Sequence, residues 1–84
     1  METTRRYRAT GLEEQLRKQG RMREWIAAEA GVHASLITHL IAGRRTVGEE
    51  VAAKISKALG FDDLSVLFEL SSEIIVHSQG SRAA

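Results

Sequence analysis

The chain contains no cysteine. That absence excludes disulfides and cysteine-ligated zinc, and it makes a reducing cytoplasm the expected compartment. No apolar run approaches the roughly 20 residues that a membrane-spanning helix needs. The basic start METTRRYR leads into no hydrophobic signal segment. The expectation is a soluble intracellular chain without a membrane contact. Histidine is scarce as well: His33, His39 and His77 stand at a spacing that matches no usual metal motif. Glu24, Glu29, Glu49 and Glu50 fall on expected helix surfaces with no partnered nucleophile. Neither a metal, nor another cofactor, nor an enzyme activity is expected.

What is present is one small domain of 84 residues, near the size at which a single core only just suffices and dimerisation often adds stability. The net charge of +1 conceals an uneven distribution. Residues 1–23 carry seven basic and three acidic side chains, residues 24–48 carry two of each, and residues 49–84 carry three basic and six acidic. A basic front and an acidic back suit a protein that turns one face to a polyanion.

Residues 1–9 lack apolar periodicity and read as a flexible basic arm. Thr10-Gly11-Leu12-Glu13 has the form of a capping box, opening a helix with Leu12 and Leu16 inward and Gly20 beyond its end. A second helix is expected from about Met22 to Glu29 and a third from about Ala34 to Ala42. Thr46-Val47-Gly48-Glu49 repeats the capping-box form and starts a fourth, with Val51, Ile55, Ala58 and Leu59 inward before Gly60. Asp62 offers the N-cap of a fifth, carrying Leu64, Leu67 and Phe68. Beyond Leu70 two readings stay open. Leu67, Ser71, Ile74 and Ser78 continue a helical face, whereas the β-branched run Ile74-Ile75-Val76 suits a short strand. Either way the tail exposes apolar surface; residues 71–84 are expected to form the dimerisation element and tail, and Leu67, Leu70, Ile74, Ile75 and Val76 are expected to be the dimerisation residues.

The most informative stretch runs from Arg23 to Ala42. Trp25, Ile26 and Ala30 mark a buried stripe, and Ala27 is small enough to let a second helix cross close above it. Gly31 supplies a turn that commonly needs positive φ, and Val32 follows as an apolar plug. Ile37, Leu40 and Ile41 form the inward stripe of the next helix. At about 100° per residue, Ser35, Thr38, His39 and Ala42 are then left on its solvent side.

Ile26, Ala27, Ala30, Gly31, Val32, Ile37 and Leu40, continued by Gly43-Arg44-Arg45 and the helix Val51–Gly60, resemble the Cro/lambda-repressor-like helix-turn-helix regulators, the xenobiotic-response-element type. The likeness covers roughly residues 12–68. It implies an all-α, compact five-helix domain over residues 10–70 that places its third helix in the major groove of double-stranded DNA. It also implies base-reading positions at Ala34, Ser35, Thr38 and His39, with His33 where that helix begins. Ser35 and Thr38 can donate or accept, His39 can donate to guanine N7 or O6, Ala34 can only meet a thymine methyl, and Leu36 lies at the flank. None is a long amide or guanidinium, so direct discrimination is expected to be modest or shared with DNA shape.

Phosphate contacts are expected from Arg23, Arg44, Arg45 and Thr46, with the backbone amides that open the second and fourth helices. Arg5, Arg6 and Arg8 of the arm are expected in a minor groove or on flanking phosphates. The chain departs from its relatives in having Met22-Arg23 where a serine cap and a glutamine are frequent, Ala42 where asparagine often precedes the glycine, and Val47 where proline is common. The function so implied is transcription regulation, as a small prokaryotic or phage repressor that binds operator half-sites as a cytoplasmic, nucleoid-associated homodimer. The alternatives are the antitoxin of a toxin–antitoxin pair, with the tail facing a toxin, or a phage architectural or recombination-directionality factor.

Overall fold

A computed structural model describes the backbone of residues 2–76 and the side chains of residues 5–71. His77 and Ser78, with the rest of the tail, lie outside the described residues. In chain order the elements are β1 (Glu2–Ala9), α1 (Leu12–Gln19), α2 (Arg23–Ala30), α3 (Ala34–Ile41), β2 (Val47–Gly48), α4 (Glu49–Ala58), a 3-10 turn (Leu64–Val66) and β3 (Phe68–Val76). The domain is mostly helical, with four α-helices and a small antiparallel sheet ordered β2-β1-β3.

The helices share one core. Leu12 and Leu16 of α1, Ile26, Ala27 and Ala30 of α2, and Ile37 and Leu40 of α3 are all buried. Leu67, which ends the 3-10 turn, and Phe68, the first residue of β3, close the core. Trp25, Val32, Leu36 and Ile41 pack half-buried around it. On α4 the buried stripe is Ala52, Ile55 and Ser56, continued by Leu59, while Val51 and Ala58 flank it half-buried. The stripe is thus rotated slightly from the expected one.

Two expectations fail in the same place. The segment expected to be a flexible arm is β1, paired with β3 from Glu2↔Val76 to Ala9↔Phe68 and with β2 through Arg6↔Gly48 and Tyr7↔Val47. The expected fifth helix is only the 3-10 turn, followed by strand. A helix through Leu67 would need that carbonyl for an amide further along, but the amides of Thr10 and Gly11 already take it, at 2.9 and 3.1 Å. The contact is close enough that a Cβ on Gly11 would stand 3.2 Å from the carbonyl oxygen of Val66. Of the two readings of the tail, the strand is therefore the one that forms. The register shifts between Arg6 and Tyr7, where Ser71 is the extra residue of a bulge.

Neither capping box forms. The residue before α1 is Gly11 and the residue before α4 is Gly48, each without a side-chain cap. The Thr10 hydroxyl donates to the Leu67 carbonyl at 3.4 Å instead. Asp63 rather than Asp62 caps the 3-10 turn, accepting from the amide and hydroxyl of Ser65. Those two bonds hold its carboxyl below the ordinary value.

Ser56 is 1% exposed, and its Oγ finds no partner among the described residues. An unsatisfied buried hydroxyl costs about 1–3 kcal/mol. Ser56→Ala is therefore expected to stabilise the fold by about 1 kcal/mol in chemical denaturation, and a clear loss of stability would show that the hydroxyl is satisfied.

Candidate nucleic-acid interface

The turn between α2 and α3 is fixed by backbone geometry. Gly31 sits at φ 73°, and the amide of Val32 reaches back to the carbonyl of Ala27 at 2.9 Å. This is the left-handed helix termination that glycine adopts without a Cβ clash. The next helix begins at once. Ile37 and Leu40 are fully buried beneath it, which sets its rotation about its axis.

That rotation leaves Ser35 and Thr38 exposed, with His39 half-exposed on the same outer side, while Ala34 is half-buried against the core. His33 is exposed at the residue before the helix. Val32, His33, Ser35, Leu36, His39 and Arg45 line a shallow hollow of about 420 Å³ alongside α3. Its floor is apolar and its rim polar and cationic, so it can receive a sugar-phosphate backbone or a thymine methyl. Leu36 is half-buried against the core at this hollow.

Two arginines bracket the outer face of α3. Arg23, the first residue of α2, donates from Nη1 to the Thr38 hydroxyl at 3.3 Å, and its Nη2 lies 3.8 Å from a Glu13 carboxylate oxygen. Arg44 places its Nη1 at 3.4 Å from His39 Nδ1. Arg45 stays exposed at the rim of the hollow. Arg23, Arg44 and Arg45 thus surround the outer face of α3. The first turns of α2 and α4 begin without side-chain caps, at Met22 and Gly48.

The arm residues behave differently from expectation. Arg6 donates from Nε to the Thr46 hydroxyl at 3.1 Å and from Nη2 to the Thr46 carbonyl at 2.6 Å. Thr46, expected on phosphate, is half-buried and serves as the acceptor of this clamp. Arg8 pairs with Glu69 across the ladder at 3.3 Å, both side chains being half-exposed or more. Arg5 is exposed on the same strand. A paired strand has no free arm to lay in a minor groove. Sequence reasoning also missed Arg21, whose guanidinium lies 4.3 Å from the ring centre of Trp25. The basic run Arg17-Lys18, Arg21, Arg23 was its only signal.

Of the five residues expected to pair two copies, Leu67 is fully buried in its own core and cannot serve. Leu70 is 47% exposed on β3. Ile74, Ile75 and Val76 belong to the same strand, opposite Thr4, Thr3 and Glu2.

A helix-turn-helix family profile matches residues 12–64, from the start of α1 to the first residue of the 3-10 turn. The chain belongs to the helix-turn-helix family of the Cro/C1 type, a family of DNA-binding regulators. A search of curated proteins and one of solved structures found no match for the chain. The matched segment includes both elements of the motif and excludes β1 and β3. No helix among the described residues is long and apolar enough to cross a membrane.

The Arg6 clamp joins the sheet to the loop that follows α3. Arg6→Ala is expected to destabilise the domain by about 1–2 kcal/mol, the range for a charge-assisted bond that is only partly buried. Amide exchange over residues 46–48 should quicken, and Arg6→Lys, which cannot reach both Thr46 oxygens with one planar fork, should restore little. Unchanged exchange in Arg6→Ala would mean that the clamp does not hold the loop.

Proposed function

We propose that the protein is a sequence-specific repressor that binds the half-sites of a double-stranded operator as a homodimer, with α3 in the major groove. The observation that carries this is the arrangement around α3: polar Ser35, Thr38 and His39 face outward above a fully buried Ile37 and Leu40, flanked by Arg23, Arg44 and Arg45. Thr38 and His39 read base edges, with His33, Ala34 and Ser35 beside them. The three arginines, with the uncapped first-turn amides of α2 and α4, hold phosphates. The minor-groove role of Arg5, Arg6 and Arg8 is given up, because β1 is a paired strand.

The second copy is proposed to meet the first along β3. Its outer edge has no strand partner among the described residues, and Leu70 stands exposed on it. An uncovered strand edge is a ready template for another strand. The homodimer reading thus keeps Leu70, Ile74, Ile75 and Val76 and drops Leu67.

Replacing Thr38 and His39 together by alanine is expected to leave stability within about 0.5 kcal/mol of wild type, as surface changes usually do. Affinity for a selected operator should fall by about 1–3 kcal/mol per lost base contact, while affinity for random duplex hardly changes. Ile37→Ala is the contrasting variant. It should destabilise the fold by about 2–5 kcal/mol and lose both kinds of binding together. A double variant that bound the operator like wild type would remove α3 from the reading surface.

A further inference from the structure

The two arginines that bracket α3 do more than add charge. A guanidinium carries five N–H donors and no acceptor, so any polar atom it meets must accept from it. Arg23 Nη1 meets the Thr38 hydroxyl oxygen at 3.3 Å. Arg44 Nη1 meets His39 Nδ1 at 3.4 Å. For His39 the contact favours the tautomer that offers the Nδ1 lone pair to the guanidinium, and in that tautomer the proton stands on Nε2, which faces outward as a donor. For Thr38 one lone pair is occupied, the hydroxyl hydrogen remains for an outside acceptor, and the adjacent positive charge opposes the approach of another donor.

We infer that Arg23 and Arg44 set the polarity of the reading face, so that Thr38 and His39 present hydrogen-bond donors and select acceptor edges in the major groove, guanine N7 and O6 foremost. This rests on the reading of α3 as the DNA-reading helix. In the major groove guanine offers two adjacent acceptors, whereas cytosine offers its N4 amino donor and adenine combines N7 with an N6 amino donor. With the His39 Nε2 proton and the Thr38 hydroxyl hydrogen turned outward, two donors adjacent in sequence on one helix fit the guanine edge, and the guanidinium beside the remaining Thr38 lone pair disfavours an exocyclic amine there. Each guanidinium uses one N–H in this way and keeps others for phosphate, so the polarity role and the phosphate role are compatible. Arg23 and Arg44 are positioning residues in this account, acting through Thr38 and His39.

The test uses the full chain. Duplexes are selected from a randomised library, and purines in the enriched half-site are replaced singly, guanine by 7-deazaguanine and adenine by 2-aminopurine, which lacks the N6 amine. The expected result is an enriched guanine whose 7-deaza replacement weakens binding about tenfold or more, with 2-aminopurine tolerated throughout. In the free protein, two-bond nitrogen–proton spectra should show the His39 proton on Nε2, and Arg44→Ala should raise the fraction on Nδ1 and shrink the ratio between normal and 7-deaza duplex affinities. That ratio is insensitive to a uniform loss of phosphate contact.

Loss of binding on 2-aminopurine with 7-deazaguanine tolerated would overturn the inference, as would a His39 proton on Nδ1 in the wild type. An enriched sequence indifferent to every analogue would overturn it while leaving DNA reading by α3 intact. A selection that enriched no sequence would overturn the DNA reading itself, and this inference with it.

Discussion

The outer face of α3, proposed as the DNA interface, depends on the burial of Ile37 and Leu40 beneath that helix. A helix with those two side chains driven fully into the core has no freedom to roll, because a roll would carry a leucine or isoleucine into water at about 1.5–3 kcal/mol each. Thr38 and His39 are consequently held outward by the same packing that stabilises the domain. Gly31 adds the second half of the constraint, since its left-handed φ of 73° fixes where α3 starts relative to α2. Stability and the proposed recognition therefore fall to different residues of one helix.

The sheet extends that constraint beyond the matched motif. β1 is the central strand and joins β2, which directly follows the loop of Arg44, Arg45 and Thr46, to β3, on which the second copy is proposed to pair. Arg6 fastens the same loop through both oxygens of Thr46. A displacement of the ribbon would therefore reach the residues beside α3 through one strand and one side chain. The bulge at Ser71 lies opposite the point where β2 joins, so twist and attachment are concentrated in the same place.

The helix-turn-helix was legible because its signals are local. The 3.6-residue stripes of Ile26–Ala30 and Ile37–Leu40, the left-handed glycine and the small Ala27 all act within a few residues of one another. The outward face of α3 followed from those stripes by rotation alone. β1 was illegible because a strand of Thr, Arg and Tyr shows no apolar alternation, and its partners in β3 lie 59 to 74 residues away, from Ala9↔Phe68 to Glu2↔Val76. The capping boxes were misread for a related reason. Thr46 is claimed by Arg6 across 40 residues, and Thr10 turns to Leu67 across 57. A fifth helix was favoured by Leu64, Leu67 and Phe68, yet the Leu67 carbonyl belongs to Thr10 and Gly11. Local propensity lost each time to a long-range hydrogen bond.

The central claim, that the outer face of α3 and its flanking arginines form the DNA surface, is tested most directly by following the backbone amide spectrum while random-sequence duplex is added at low salt. The account predicts that shifts concentrate at the start of α2 around Arg23, along Ser35 to His39, and over Arg44 to Thr46, and that they fade as salt is raised. Shifts centred instead on α4 or on β1 and β3, with residues 35–39 unmoved, would contradict it.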